Sequence, residues 1–106
     1  MALKGGLSPT QLRRVSVHIV ENLGQDISLD DLAALTGLTP HHFGQAFKAS
    51  TGISPYRHLI VQRVRRAEEL MQTGDLSISE IAHRVGFSSQ SHLTFHFRKI
   101  TGTTPA

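Results

Sequence analysis

The sequence contains no cysteine, which excludes disulfide bonds, cysteine-based zinc fingers and thiol nucleophiles. No apolar run approaches the roughly 20 residues of a membrane-spanning helix, and residues 1–8 lack the apolar centre of a signal peptide. Apolar residues make up 39% of the 106 residues and charged residues 18%, the balance of a globular rather than a disordered chain. We therefore expect one small, soluble domain located in the cytoplasm.

Features of enzymes are also missing from the sequence. There is no glycine-rich phosphate loop, no GxSxG turn and no inward-facing pair of carboxylates. The acidic residues at helix starts or on helix surfaces are explained by solvation or by the helix dipole; they are Asp30, Asp31, Glu68, Glu69 and Glu80. The sequence predicts a protein that is not an enzyme and has no cofactor.

The net charge is +3, and the whole excess lies in the second half of the chain. Residues 1–53 carry four basic and four acidic side chains, which cancel. Residues 54–106 carry four acidic side chains and seven basic ones: Arg57, Arg63, Arg65, Arg66, Arg84, Arg98 and Lys99. This bias would attract a polyanion, although many proteins with the same charge bind none.

The boundaries between segments carry the signals of helix ends. Hydroxyl residues precede proline at Ser8, Thr39 and Ser54, where they would cap a helix that begins at the proline. Further caps are expected at Ser28, Ser77 and either Ser88 or Ser89, with capping boxes completed by Glu80 and, more weakly, by Asp31. Glycines expected to end helices stand at positions 24, 37, 52, 74, 86 and 102.

Apolar residues between these signals recur at helical spacing, and no segment alternates in the manner of a half-buried strand. The sequence predicts an all-α fold with helices near 9–23, 29–36, 40–50, 55–72, 78–85 and 89–101.

An internal repeat divides the chain into two similar halves. Leu32-Ala33-x-x-x-Gly37 returns 49 residues later as Ile81-Ala82-x-x-x-Gly86, and Phe43-x-x-x-Phe47-Lys48 returns 50 residues later as Leu93-x-x-x-Phe97-Arg98. In each copy a small residue lets two helices cross closely, and a glycine four positions on ends the first helix. This is the spacing of a helix-turn-helix, and the chain has two.

The repeats make the chain similar to the DNA-binding domain of the AraC/XylS family of bacterial transcription regulators. The resemblance runs from Leu7 to the chain end; its most specific stretch is Ile78–Pro105, and residues 63–67 also fit the family pattern. It implies a homeodomain-like fold with two helix-turn-helix subdomains, 7–53 and 74–106, joined by a rigid linker helix over 54–73 within a single domain spanning 1–106. It also implies two recognition helices in successive major grooves of double-stranded DNA.

The resemblance also implies features outside the chain. Family members continue past Thr-Pro into a short closing helix that this sequence lacks, and Gly5–Pro9 is similar to the junction after a separate sensing domain. A domain excised from a longer chain is favoured over a stand-alone regulator. The resemblance further implies that the regulator is an activator that contacts RNA polymerase. An effector would bind only to the sensing domain, which this sequence lacks.

Base-reading residues follow from the outward faces of the two recognition helices. With Phe43 and Phe47 inward, the first presents His41, Gly44, Gln45 and Lys48, and the second presents Ser91, Thr94, Phe95 and Arg98. The residues we expect to read bases are His41, Gln45, Ser91, Thr94 and Phe95. Gly44 would instead admit close approach of the backbone, and the residues expected to contact phosphates are Thr39, Lys48, Ser89, Arg98 and Lys99.

Phe95 departs from the family pattern, in which a polar or basic residue is common at this place. Two interpretations stand: the ring contacts a thymine methyl group, or it packs on the surface of its own subdomain. The two recognition faces differ, so we expect an asymmetric DNA site rather than a palindrome.

Two other classes of function are alternatives to DNA binding. His92 and His96 have the i, i+4 spacing of zinc-binding helices, but no third ligand is evident, so no metal site is predicted. A protein-interaction module that keeps the fold without DNA specificity is the main alternative. It would need an apolar outer stripe on the second helices, where only Phe95 qualifies.

Overall fold

The computed structural model describes residues 5–105, and every regular element in that range is an α-helix. The helices are α1 (Pro9–Glu21), α2 (Leu29–Ala34), α3 (Pro40–Thr51), α4 (Pro55–Thr73), α5 (Ile78–Arg84) and α6 (Gln90–Thr101). The prediction of an all-α fold with six helices is confirmed. The predictions place the ends of α1 and α2 two residues too late. In the structure the residues that follow these helices, 22–24 and 35–37, form turns.

Serine and threonine side chains cap the helix starts as predicted, but the complete capping boxes differ. At α2, Ser28 Oγ accepts from the amide of Asp31 (3.0 Å), and the Ser28 amide donates to the Asp31 carboxylate (3.2 Å). Both hydrogen bonds lower the pKa of Asp31, because they favour its ionised form. The bond from the Ser28 backbone has the larger effect, and the bond with the Ser28 side chain has the smaller one. At α5 only the first bond forms, from the Glu80 amide to Ser77 Oγ (3.1 Å), so the complete box predicted there is wrong.

Five of the six predicted helix-stop glycines have positive φ angles; they are Gly37, Gly52, Gly74, Gly86 and Gly102. The prediction for Gly24 is wrong. Helix α1 ends earlier, at Glu21, and Asn22 is its C-cap, whose amide donates to the His18 carbonyl at 3.1 Å. A Cβ atom at Gly24 would collide with the Arg84 carbonyl oxygen, so this glycine permits two backbone segments to approach closely.

The chain forms two compact units. Within the described residues, the first contains 5–22 together with Ile27–Leu59, and the second contains Leu23–Asp26 together with 60–105. The boundary between the units therefore falls inside α4. Each unit has its own apolar core: in the first it includes Val15, Ile19, Leu32, Ala33, Phe43 and Phe47, and in the second Ile60, Val64, Ile81, Ala82, Leu93 and Phe97.

A buried arginine fixes the Leu23–Asp26 segment within the second unit. Arg63 of α4 is only 8% exposed. Its Nε donates to the carbonyl oxygen of Leu23 (3.1 Å), and its Nη2 donates to that of Gln25 (2.9 Å). These charge-assisted bonds offset the cost of burying the guanidinium. Arg63 therefore holds the backbone, and its charge does not add to the exposed basic surface although the composition counts it among the seven basic residues of the second half.

Candidate nucleic-acid interface

The second helix of each repeat, α3 and α6, begins in the same way. Thr39 Oγ1 accepts from the His42 amide at 3.3 Å, and Ser89 Oγ accepts from the His92 amide at 3.1 Å. Of the two expected alternatives at α6, Ser89 is thus the cap. The first four amides of a helix have no backbone partner within the helix, and the cap side chain satisfies only one of them here; at α3 the first helical residue, Pro40, has no N–H at all. Helix α6 therefore offers one more N-terminal amide donor than α3.

The two helices also end alike, at the repeated Thr-Gly pair. The hydroxyl groups of Thr51 and Thr101 each donate to the carbonyl four residues earlier, at 2.9 and 2.7 Å. The next residues, Gly52 and Gly102, take left-handed conformations with φ of 85° and 83°. The sequence repeat is thus a structural repeat with matching helix starts and stops.

Buried aromatic and aliphatic side chains fix which face of each helix points outward. Phe43 and Phe47 of α3 are fully buried, with ring centroids 5.8 Å apart. Leu93 and Phe97 occupy the equivalent places in α6 and are also buried. The opposite face of each helix must therefore be presented to solvent.

The outward face of α3 is polar and cationic, as predicted. His41, Gln45 and Lys48 are exposed on successive turns. Gly44 lies beside them with open space around its Cβ position, and together with Leu29 and Tyr56 it lines an apolar depression of about 250 Å³. The first unit therefore presents three polar side chains next to a backbone segment that no side chain covers at Gly44.

The outward face of α6 forms one shallow depression of about 780 Å³. The predicted readers Ser91, Thr94 and Phe95 line it together with the predicted phosphate contacts Arg98 and Lys99. Thr94 is half-buried and the other four are exposed. The α6 candidates other than the capping Ser89 thus share one open, shallow surface of the helix.

Phe95 is 53% exposed and lies outside the core of its unit. Its ring contacts two residues of the same helix. The ammonium Nζ of Lys99 is 4.7 Å from the ring centroid, and the His96 ring meets it nearly at right angles, at 5.1 Å. The contact with Lys99 is not visible in the sequence pattern, although its i, i+4 spacing permits it.

His92 and His96 pack against an aromatic side chain. The ring of Phe87 meets that of His92 at 5.0 Å, edge to face, and stacks on that of His96 at 5.6 Å. His92 Nδ1 also lies 3.1 Å from the hydroxyl oxygen of Ser88. Within residues 5–105 no group of three or more His, Cys, Asp or Glu side chains could hold a metal ion. These two histidines therefore belong to the packing around Phe87.

The basic side chains of the second half are not all available to a partner. Arg63 is buried. Arg66 is exposed but forms a surface ion pair with Glu69 (Nη1 to Oε2, 3.1 Å), which offsets its charge locally. The other five are exposed as well: Arg57, Arg65, Arg84, Arg98 and Lys99. The excess of positive charge that faces solvent is thus concentrated on fewer residues than the composition indicates.

Comparison with known proteins agrees with this geometry. The family model of a helix-turn-helix domain matches residues 32–106. The transcriptional regulator RipA of Corynebacterium glutamicum is 36% identical over 99 residues, which are 93% of this chain and 30% of RipA. The chain spans about a third of the length of the curated relatives it matches.

Solved structures that resemble this chain also come from transcription regulators with DNA-binding domains. The DNA-binding domain of AdpA, crystallised with a target DNA, has a TM-score of 0.83 and 36% identity, over 90% of this chain and 86% of that one. A regulator with an AraC-type DNA-binding domain from Chromobacterium violaceum has a TM-score of 0.84 and 28% identity, over 91% of this chain and 86% of that one.

Fold, repeat and comparisons together define a helix-turn-helix domain of transcription regulators. The relatives are regulators and not enzymes, in agreement with the sequence-based prediction. More specifically, the chain belongs to the AraC/XylS family. In the described part of the chain, no helix has the length and apolar character needed to cross a bilayer.

Proposed function

We propose that the chain binds a specific sequence in double-stranded DNA through α3 and α6, each of which inserts into a major groove. One observation carries the proposal: two helices with matching caps and stops bury one apolar face and present polar, cationic residues on the other. The major groove of B-DNA admits one α-helix, whose early turns reach the base edges.

Base reading is assigned to the outward residues nearest the helix starts. Gln45 can pair bidentately with adenine, and His41 can donate to or accept from a purine. In α6, Ser91 can bond to a base edge, and the methyl group of Thr94 and the ring of Phe95 can contact thymine. All of these except Thr94, which is half-buried, are exposed, so a base edge could reach them without rearrangement of the core.

Phosphate contacts are assigned to the helix starts and to the basic residues further along. Lys48 and Arg98 are exposed one turn beyond the readers, and Lys99 extends its ammonium beside Phe95. The backbone amides of the first helical residues after Thr39 and Ser89 can also donate hydrogen bonds to phosphate oxygens. Such contacts fix the position of the protein on DNA and make binding depend on salt.

The DNA site should contain two unlike blocks. We assign one block to the subdomain over 7–53 and the other to that over 74–106, with the helix over 54–73 as the connection. His41 and Gln45 offer different chemistry from Ser91, Thr94 and Phe95, so the blocks should differ in sequence. Two reading helices on one face of B-DNA need centres about one helical turn, or roughly 34 Å, apart.

The comparisons support this function and suggest its setting. The AdpA domain was crystallised with a target DNA, and RipA is described as a transcriptional regulator. By analogy we propose a bacterial regulator that acts in the cytoplasm, and an activator that contacts RNA polymerase. Any effector would act through a sensing domain outside this chain.

Selection from random duplexes of about 25 base pairs, which cover two turns of B-DNA, tests the proposal. A selected duplex is then titrated at several salt concentrations. We expect an asymmetric consensus with two blocks and an affinity that falls steeply with salt. If no sequence is enriched even at low salt, the proposal is wrong and the protein-interaction module becomes the better explanation.

A further inference from the structure

Phe95 differs from every other residue on the outward faces of α3 and α6. It is the single large apolar side chain among the exposed residues of the two helices, both of which lie fully within the described range. None of its neighbours in the α6 depression has a large apolar side chain; they include the hydroxyl residues Ser91 and Thr94 and the cationic Arg98. A large apolar ring on a surface that meets DNA needs an apolar group to contact.

The major groove presents one such group. Thymine carries a methyl group at C5, and cytosine carries a hydrogen there. 5-Methylcytosine places a methyl group at the same position as thymine while keeping the hydrogen-bonding edge of cytosine. An aromatic reader would therefore detect the methyl group itself, independently of which pyrimidine bears it.

The surroundings of Phe95 hold its ring on the outer face of the helix. The ammonium of Lys99 lies 4.7 Å from the ring centroid, a cation–π contact, and the ring of His96 meets it at an interplanar angle of 83°. More than half of the Phe95 surface still faces solvent. The side chain is thus restrained by its own helix without being covered.

We infer that Phe95 determines specificity for a 5-methylpyrimidine, either thymine or 5-methylcytosine, at one position of the block contacted by α6. Lys99 acts as a positioning residue that restrains the ring. The inference rests on the proposed function, since it presupposes that α6 enters a major groove. It extends that function by naming the chemical group that is recognised and the modified base that can replace thymine.

The test replaces each thymine of a selected duplex in turn by deoxyuridine, which removes only the 5-methyl group. For the wild-type protein we expect one substitution in the α6 block to weaken binding by about fourfold, which corresponds to ~0.8 kcal/mol for one buried methyl group. In the Phe95→Ala variant the thymine and uracil duplexes should bind equally. Gln45→Ala is the matched control: it should weaken binding but leave the thymine-to-uracil ratio of the α6 block unchanged.

Two further comparisons use the same position. A 5-methylcytosine–guanine pair should bind wild-type protein more tightly than a cytosine–guanine pair, again by about fourfold. Lys99→Ala should lower the thymine-to-uracil ratio, whereas Arg98→Ala should lower the affinity for both duplexes alike. An unchanged ratio in Lys99→Ala would overturn the positioning role.

Several results would contradict the inference about Phe95. It is wrong if every uracil duplex binds wild-type protein as tightly as its thymine parent, or if the selected α6 block contains no thymine. It is also wrong if the ratio persists in Phe95→Ala, because Thr94 or another residue would then read the methyl group. All of these outcomes leave sequence-specific binding intact, whereas a failed selection would remove the proposed function itself.

Discussion

Replacing the turn glycines by alanine should affect the two repeats unequally. Gly37 and Gly86 occupy equivalent places and both have positive φ, 75° and 97°. Around Gly37 the Cβ position is open. At Gly86 an added Cβ would lie 2.7 Å from the Arg63 guanidinium and 2.7 Å from the Leu23 carbonyl oxygen. Gly86 is thus constrained by space as well as by backbone conformation.

The magnitudes follow from these two constraints. Holding alanine in a left-handed conformation costs about 1–2 kcal/mol, and Gly37→Ala should lose that amount of unfolding free energy. Gly86→Ala should lose the same amount plus about 1–3 kcal/mol, because the Cβ must displace the buried Arg63 side chain or the backbone at Leu23. Each further kcal/mol lowers the melting temperature of a domain of this size by about 4–8 °C.

Far-ultraviolet circular dichroism in urea is the suitable assay, because the chain has no tryptophan and a single tyrosine. Gly37→Ala serves as the matched control for the backbone term. Equal losses in the two variants, or a larger loss in Gly37→Ala, would refute the claim that Gly86 makes room for Arg63.

Three further outcomes are expected. Lys48→Met should reduce the slope of log affinity against log salt by about 0.9 through loss of one phosphate contact, whereas Arg13→Met on the exposed face of α1 should leave the slope unchanged. Ser89→Ala removes the α6 cap and should cost about 1 kcal/mol of unfolding free energy, while Ser91→Ala, measured in the same urea titrations, should stay within about 0.5 kcal/mol. The pKa of Asp31 is lower in the folded than in the unfolded protein, so its contribution to stability is present at neutral pH and is lost as pH falls through the folded pKa. The unfolding free energies of wild type and Asp31→Asn should therefore become equal in acid, and a difference that persists there would contradict the assignment.

Local signals explain why the helices could be predicted from the sequence. The caps at Thr39 and Ser77 act on amides three residues away, and the stops at Gly52 and Gly102 depend on a single residue's conformation. The outward faces follow from helical periodicity once the positions of Phe43 and Phe47 are assigned to the core. These features need no knowledge of distant contacts.

The features that the sequence did not reveal depend on long-range contacts. Arg63 counts as one more base in the composition, but its partners lie 38 and 40 residues away, at Gln25 and Leu23. The sequence pattern suggests that Gly24 ends a helix, but in the structure Gly24 is needed because the Arg84 carbonyl oxygen packs against it. The apparent linker helix likewise conceals a boundary within α4, because Leu59 and Ile60 enter different cores. Only packing distinguishes these roles.

The most direct test of the two-helix account is to measure how single variants on each helix affect each block of the selected DNA site. Gln45→Ala should relax base preference in one block only, and Thr94→Ala in the other, with a cost of about 1–3 kcal/mol for a lost base contact. Binding is compared across duplexes mutated in one block at a time. If both variants relax the same block, or if neither changes base preference, then α3 and α6 do not read separate parts of the site and the account is contradicted.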